Sequence, residues 1–388
     1  MERHEISPAE RLIAAWLRDG AVPAAGLPAD LPGGLPADLS ERILYHGVSA
    51  LLFTRPAAMA ALPEAIRAAA RQQALAEAMW DLQHRHVLAP LIEDLSREGI
   101  RVAVLKGTAL ACSVYPSPAL RPRADTDLLA DPAQAGAVHA VFRRHGFRRD
   151  ADSFAGTGAG VIRQEAWKAE VAGTTQALDL HWGLMNAWSL SDLLPTDEIL
   201  STALPLPGLS PNARRIADEA ALYHACIHRA VHVQSPYHVG ERSHYGGDRL
   251  IWFYDMHLLV PHLGRADWMR LIGRCRKDDT ADLCLEALER TVMLFGSAVP
   301  PDVLAALRAL PKGGRVSDHL LHAQGTRRFL SDLAHVPGTR RKLGLIRMVL
   351  LPPAEFMRAK YPDSASWPLW TLYLRRIAGR LRRRGEKA

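Results

Sequence analysis

The stretch from Val102 to Asp131, VAVLKGTALACSVYPSPALRPRADTDLLAD, constrains the fold of this chain more than any other part of its sequence. Residues 102–105 form a short apolar run of the kind found in buried strands, and the run stops at Lys106-Gly107. A helical pattern follows over 108–115, and after a loop with several prolines a second strand is indicated over 124–130. The stretch therefore predicts a strand, a tight turn at Gly107, a helix, a loop and a strand.

Two carboxylates, Asp125 and Asp127, lie on the second predicted strand. Because side chains alternate across a strand, we expect both to point the same way. Like charges about 5–7 Å apart beside apolar residues repel each other and lose solvation, and a bound cation relieves both costs. Mg²⁺ suits such a cluster, because it binds a few carboxylates together with substrate phosphates. The pair is therefore predicted to bind metal.

A phosphate site is predicted beside this pair. The turn at Lys106-Gly107 offers backbone N–H groups at a helix start, and the lysine ammonium lies next to them. A third carboxylate, Asp179, occurs downstream in the predicted strand Gln176 to Trp182, where His181 shares its face. Carboxylates for a metal and a cradle for phosphate together indicate nucleotide chemistry.

Three strings, LKGTAL, YPSPALRPRADTDLL and LDLHW, resemble the uncharacterised nucleotidyltransferase family of the DNA polymerase β superfamily. The resemblance covers roughly residues 100–182, with a weaker match in the helices to about 260. It implies a strand, a glycine-containing turn and a helix before an Asp-x-Asp strand, with a third aspartate on a neighbouring strand and two Mg²⁺ ions held by the three. One departure is that this chain has Lys106-Gly107-Thr108 where active members of the wider superfamily usually have Gly-Ser.

The resemblance implies an enzyme that moves a nucleoside monophosphate from an NTP to a hydroxyl acceptor and releases pyrophosphate. Asp125 and Asp127 are expected to hold both Mg²⁺ ions in a two-metal scheme, and Asp179 is the candidate general base or its metal-bound equivalent. A peptide or a sugar is the acceptor class at which the family resemblance hints. The acceptor and the preferred base cannot be read from the sequence.

The candidate nucleotide-binding residues share a position near the predicted metal strand and the ability to contact phosphate. Planar guanidinium groups suit triphosphate oxygens, and a threonine hydroxyl can replace that of serine. These residues are Lys106, Gly107, Thr108 and Arg121.

Two other function classes stay open. One is a non-catalytic nucleotide-binding scaffold that acts through a protein partner. It stays open because the chain has Lys106-Gly107-Thr108 where active members usually have Gly-Ser. A less favoured reading is a zinc-dependent hydrolase, since His224 and His228 lie one helical turn apart near acidic residues such as Asp248. We favour a lining role for His224 and His228, with His181 as a further candidate, in a cleft between the catalytic and helical regions.

Composition excludes several other kinds of protein. The chain has 388 residues, a net charge of +7 and four cysteines without Cys-x-x-Cys spacing, which predicts reduced thiols. Residues 375–387 alone contribute +6, so a generally basic binding face is not indicated. No apolar stretch approaches the ~18–20 residues of a transmembrane helix, and the charged amino terminus is unlike a signal peptide. We expect a cytoplasmic protein.

The predicted fold class is α+β, with a small mixed sheet bearing helices on one face and helical regions before and after it. The expected domains are an N-terminal helical region over 1–98, a nucleotidyltransferase core over 99–205 and a C-terminal helical domain with a basic tail over 206–388. Within them we predict a helix over 63–99 with a break near Pro90, and a linker over 205–211. Asp255 is predicted to be a buried carboxylate that orients a histidine or an arginine.

The C-terminal tail interleaves apolar residues from Trp370 onward with arginines. One interpretation is an amphipathic helix that touches an anionic membrane, nucleic acid or an acidic partner. We favour the other, in which the apolar side docks on the body of the protein and the arginines remain solvated.

Overall fold

The computed structural model describes residues 6–19, 38–150, 163–233, 236–239, 242–245, 247–321 and 326–385. Its strands are β1 (Val102–Val104), β2 (Thr126–Ala130), β3 (Arg148–Arg149), β4 (Gln164–Val171), β5 (Thr174–His181), β6 (Leu204–Pro205), β7 (Arg214–Arg215), β8 (Pro236–Val239) and β9 (Arg242–Tyr245). Strands β1 to β7 form one sheet in the order β3-β4-β5-β2-β1-β7-β6, and β8 pairs with β9 in a separate ribbon.

Helices make up the greater part of the described chain. The α-helices are α1 (Pro8–Asp19), α2 (Leu39–His46), α3 (Ser49–Phe53), α4 (Pro56–Ala61), α5 (Glu64–Arg97), α6 (Lys106–Ala111), α7 (Ala135–Arg144), α8 (Thr196–Thr202), α9 (Asp218–His232), α10 (Leu250–Leu259), α11 (Arg265–Asp278), α12 (Ala281–Phe295), α13 (Pro301–Ala309), α14 (Arg315–Leu321), α15 (Thr326–His335), α16 (Thr339–Leu350), α17 (Ala354–Lys360) and α18 (Leu369–Gly385). Short 3-10 helices cover Pro118–Leu120, Pro132–Gln134, Trp188–Leu190, Val260–His262 and Pro362–Ser364.

The predicted α+β class is confirmed: the chain forms one mixed sheet, and helices precede and follow its strands in the sequence. The strand, helix and strand predicted over 102–130 are observed as β1, α6 and β2. All five residues of β2 are buried, as the apolar run Leu128-Leu129-Ala130 requires.

Strands β4 and β5 form an antiparallel hairpin that fixes the position of Asp179 on the sheet. The register pairs Ala166 with Asp179 and Gln164 with His181. The turn consists of Ala172 and Gly173, whose φ angles are 50° and 77°. Two consecutive residues with positive φ give the twist that suits a two-residue hairpin.

Three boundaries differ from the sequence-based predictions. Strand β2 begins at Thr126, so Asp125 lies directly before it rather than on it. Helix α5 continues through Pro90 without the predicted break. The predicted linker over 205–211 connects β6 to β7, which pair with each other, while β7 extends the sheet in parallel with β1. Short edge strands tolerate proline because one side needs no ladder hydrogen bonds.

The chain divides into two compact units that do not follow the sequence order. One unit comprises the described residues within 1–127 and 197–324, and the other those within 128–196 and 325–388. The three consecutive domains predicted from the sequence stay a prediction.

Each unit has its own aromatic core. In the first unit, Phe295 packs edge-on against Tyr254 with ring centroids 5.4 Å apart. In the second, Phe142 lies 5.3 Å from Trp167 in a T-shaped pair and 6.1 Å from Phe147. The four cysteines are all free, as predicted.

The C-terminal helix α18 corrects our preferred interpretation of the tail. It does pack on its own unit, but through Leu372 and Arg376, which are buried. The apolar residues expected to dock, Trp370, Leu374 and Ile377, are exposed instead. The same spacing of apolar residues continues in the sequence at Leu381, whose side chain lies outside the part of the chain that the structure describes. Among the described residues, we find no helix with the length and apolar content needed to cross a membrane.

Candidate active site

The turn after β1 places Lys106 beside the acidic strand. The backbone N–H of Leu105 donates to the carbonyl of Asp127 at 2.9 Å, which aligns the two segments. Lys106 then has φ of 48°, in the left-handed region that a residue with a side chain rarely adopts. The unusual backbone is therefore at Lys106 and not at Gly107, where we predicted the tight turn. Such strain persists where surrounding structure enforces it, and it often marks a functional site.

The Lys106 ammonium forms an ion pair with a buried carboxylate. Its Nζ lies 2.7 Å from Oδ1 of Asp127, and the two side chains are 25% and 9% exposed. An ammonium at this distance balances a charge that would otherwise be costly to bury. Two predicted site residues are thus in direct contact.

The Thr108 hydroxyl is hydrogen-bonded within a buried polar network beneath the turn. That hydroxyl lies 2.7 Å from the hydroxyl of Thr126, which is 2.6 Å from Nε2 of His84. Nε of Arg123 donates to the Thr108 hydroxyl at 3.1 Å, and the same arginine pairs with buried Asp81. Sequence reasoning missed Asp81 and His84, because their i, i+3 spacing on α5 gives no sign of partners outside that helix.

A pocket adjoins Lys106 within the first unit, with an empty volume of about 500 Å³ that includes space open to solvent. Apolar side chains and a few polar groups form its wall, the usual make-up of a small-molecule site. The lining residues are Lys106, Gly107, Ala109, Leu110, Arg121, Ile216, Ala221, His224, Ala225, His228, Trp252 and Asp255.

Arg121 is held in the pocket wall by Asp255. Its Nε and Nη2 each donate to one carboxylate oxygen of Asp255 at 2.8 Å. The hydroxyl of Tyr115 donates to Oδ1 of the same carboxylate at 2.7 Å. The prediction that Asp255 is a buried carboxylate that orients an arginine is confirmed. Burial raises the pKa of Tyr115 well above its usual value, and the Asp255 charge acts in the same direction.

Helix α9 carries His224, His228 and His232 one helical turn apart, and we call these three residues the histidine stripe. The rings of His224 and His228 lie 5.9 Å apart and those of His228 and His232 lie 4.3 Å apart. Burial lowers the pKa of His228 well below its usual value, and the positive charge of Lys106 lowers it further. Burial, followed by Lys106, also lowers the pKa of His232. His228 and His232 are therefore neutral near pH 7.

Asp179 and His181 lie on one face of β5, as predicted from their i, i+2 spacing. The side chain of Gln164, on the paired strand, donates to Oδ2 of Asp179. Asp127 likewise lies on a strand, β2, and is buried. An aspartate and a histidine on one strand face offer oxygen and nitrogen donors that suit a metal ion.

The donor chemistry of these residues fits a divalent cation. Carboxylates suit Mg²⁺, which completes its coordination with water and phosphate oxygens, and an imidazole is a ligand that zinc and similar metals prefer. Asp125 is half-buried and lies directly before β2.

The predicted zinc arrangement does not form around the histidine stripe in the described residues. The nearby Asp248 accepts from Nε of Arg229 at 2.5 Å and from Nη1 of Arg290 at 2.9 Å. Asp248 therefore belongs to a buried ion-pair network. His224 and His228 line the pocket instead, and the cleft between the catalytic and helical regions stays a prediction.

The mixed sheet, with a strand, a turn and a helix before an acidic strand, is the arrangement that the resemblance to a nucleotidyltransferase family implied. The chain belongs to the family described as uncharacterised nucleotidyltransferase, whose model matches residues 37–296.

A similar solved structure is the crystal structure of an antigenic nucleotidyltransferase-like protein from Paracoccidioides brasiliensis. It is 17% identical in sequence, with a TM-score of 0.34, over 62% of this chain and 96% of that chain. A comparison with curated proteins finds no match.

Proposed function

We propose that this protein is a Mg²⁺-dependent nucleotidyltransferase that moves a nucleoside monophosphate from an NTP to a hydroxyl acceptor and releases pyrophosphate. The observation that carries this proposal is the ion pair of Asp127 with Lys106, a residue of the pocket wall. A buried carboxylate paired with a side-chain ammonium is a site that can exchange that ammonium for a metal ion. The freed ammonium can then contact the phosphates that arrive with the metal.

The residues proposed to hold Mg²⁺ are Asp127 and Asp179, because each is an aspartate on a strand of the sheet, and His181 follows Asp179 on β5. Asp125 remains a proposed ligand because it immediately precedes β2. Bound Mg²⁺ would neutralise the triphosphate and lower the pKa of the acceptor hydroxyl. The chain's own residues supply the rest of the chemistry.

Lys106 would bind phosphate oxygens, together with the backbone N–H groups of Gly107 and Thr108. Arg121 is fixed by two hydrogen bonds to Asp255 and would contact phosphate oxygens from the pocket wall. Asp179 would accept the acceptor's proton while the acceptor oxygen bonds to the α-phosphorus and the bond to pyrophosphate breaks. Neutral His228 with His224 would line the space for the base or the acceptor.

The proposal keeps a cytoplasmic location, where NTPs and Mg²⁺ are abundant, and a peptide or a sugar as the acceptor class. It matches the generic activity of the family, whose members are described as uncharacterised nucleotidyltransferases.

A non-catalytic nucleotide-binding scaffold is the second candidate, and one observation favours it. The Thr108 hydroxyl, at the position where a serine hydroxyl would be expected, is buried among Thr126 and Arg123. A hydroxyl used inside the protein cannot at the same time contact a nucleotide. The scaffold would bind an NTP without turnover.

Calorimetry of the four NTPs with and without Mg²⁺ tests the proposal. Wild-type protein is compared with Asp127→Asn, and with Asp302→Asn, which changes an exposed aspartate on α13. Binding that needs Mg²⁺ and is lost only in Asp127→Asn supports the site. Pyrophosphate release with candidate acceptors then separates an enzyme from a scaffold. Wild-type protein that binds no NTP would contradict both.

A further inference from the structure

The last segment of the chain combines positive charge with exposed apolar side chains. Residues 325–388 contain fifteen Lys and Arg against four Asp and Glu, a net charge of +11. Because the whole chain carries +7, residues 1–324 carry −4. Eight of the fourteen large apolar side chains that the described residues expose also lie in this segment: Leu330, Leu343, Leu350, Leu351, Trp367, Trp370, Leu374 and Ile377.

Three of these side chains form a stripe along α18. Trp370, Leu374 and Ile377 are 65%, 56% and 53% exposed, and their spacing of i, i+4 and i+7 places them on one helix face. We call these three residues the apolar stripe. The sequence repeats the spacing at Leu381, where arginines follow at 382, 383 and 384.

The other side of α18 is already used for packing. Arg376 is 7% exposed, and its Nη2 donates to the carbonyl of Val349 at 3.3 Å. The hydroxyl of Tyr373 donates to the carbonyl of Pro352 at 2.6 Å. These bonds fix the helix on the end of α16, so the apolar stripe is left facing solvent by the way the helix docks.

We propose that α18 binds the surface of a bilayer that contains anionic phospholipids, lying parallel to the membrane plane with the apolar stripe inserted. Tryptophan prefers the headgroup region, where its ring is partly dehydrated, and Leu374 and Ile377 gain by leaving water. The positive charge of the segment complements the negative surface of such a membrane. This inference does not rest on the proposed function.

Two other occupants fit the same surface less well. A nucleic acid would satisfy the arginines but would leave Leu374 and Ile377 with no apolar partner. A second copy of the chain would bring two segments of +11 together, which is repulsive. The combination of Trp, Leu and Ile with basic residues is the composition of an interfacial amphipathic helix.

The test is flotation of the full-length protein with vesicles of phosphatidylcholine alone or mixed with phosphatidylglycerol. The test variant is Trp370→Ser/Leu374→Ser/Ile377→Ser. The matched control is Leu75→Ser/Met79→Ser/Leu82→Ser, which alters a second exposed stripe of identical spacing on α5, where the side chains are 58%, 68% and 63% exposed. Thermal unfolding of both variants verifies that they fold.

We expect wild-type protein and the control to bind the mixed vesicles, to bind phosphatidylcholine at least about tenfold more weakly, and to dissociate as salt increases. The test variant should bind the mixed vesicles at least about tenfold more weakly than wild type. A blue shift of tryptophan emission on vesicle addition, absent in Trp370→Ser, would place the stripe in the lipid.

Three results would overturn the inference. The first is wild-type protein that does not float with the mixed vesicles. The second is a test variant that binds as well as wild type, since the attraction would then be purely electrostatic, as for nucleic acid. The third is a dimer in sedimentation that the test variant abolishes, because a second copy would then cover the stripe. Should the test variant fail to fold, the single change Trp370→Ser with the emission measurement decides the question.

Discussion

Replacing Lys106 separates two physical effects that meet at this residue, its ion pair and its backbone strain. Lys106→Met removes the ammonium that lies 2.7 Å from Asp127 while it keeps a long side chain at φ of 48°. Lys106→Gly removes the ammonium and also the strain, because glycine adopts positive φ without a Cβ clash. The two variants therefore differ mainly in the backbone strain at residue 106.

The magnitudes follow from the geometry. Unit charges 2.7 Å apart attract with about 6 kcal/mol at an effective dielectric constant of about 20, and desolvation offsets most of this. Because the lysine is 25% exposed, we expect Lys106→Met to destabilise the protein by about 2 kcal/mol, through the buried charge left on Asp127. Lys106→Gly should recover about 1 kcal/mol of that loss.

The assay is thermal unfolding of full-length wild type and both variants, with and without Mg²⁺. If Lys106 and a metal compete for Asp127, Mg²⁺ should raise the melting temperature more in the variants than in wild type, because a ligand that binds only the folded state stabilises it. Lys106→Met as stable as wild type would refute the contribution of the pair. An equal response to Mg²⁺ in all three proteins would refute the competition.

Two further predictions concern groups near the pocket. Asp255→Asn should destabilise the protein by about 3 kcal/mol, because it leaves Arg121 buried without its carboxylate. The control Asp38→Asn breaks an exposed ion pair with Arg42 and should cost less than about 0.5 kcal/mol. Urea unfolding of both variants checks this, and equal costs would contradict it. Burial raises the pKa of Glu77 to about 7 from 4.5, so the folded protein retains a proton that the unfolded chain has lost between these pH values. The free energy of unfolding should therefore fall by about 3 kcal/mol as pH rises from 4.5 to 7. Urea titrations at several pH values should show a weaker pH dependence of this free energy for Glu77→Gln. An unchanged pH dependence would argue against a buried, protonated Glu77.

Much of the sheet was predictable because its signals are local. The apolar run at β1 and the one at β2 are long enough to indicate buried strands, and the turn at Ala172-Gly173 separates two strands of equal length. The carboxylates Asp127 and Asp179 could be selected for the same reason, since each lies on an apolar strand where a charge needs a partner.

Other parts of the site depend on contacts between residues that are distant in the sequence. The bond of Thr126 to His84 spans 42 residues, and the pair of Arg121 with Asp255 spans 134. No periodicity encodes such a pairing, so the sequence indicated that Asp255 needs a partner without identifying which one.

The sequence by itself determined the order of strands and helices, the acidic positions on the sheet and the concentration of positive charge at the C-terminus, because each depends only on neighbouring residues. The tertiary structure decided the rest. It placed the Lys106 ammonium on Asp127, buried the Thr108 hydroxyl, and docked α18 by the face that holds Arg376 so that Trp370, Leu374 and Ile377 face solvent. Such choices depend on which surfaces meet when the chain folds, and packing between distant segments overrides the preference of any one helix or turn.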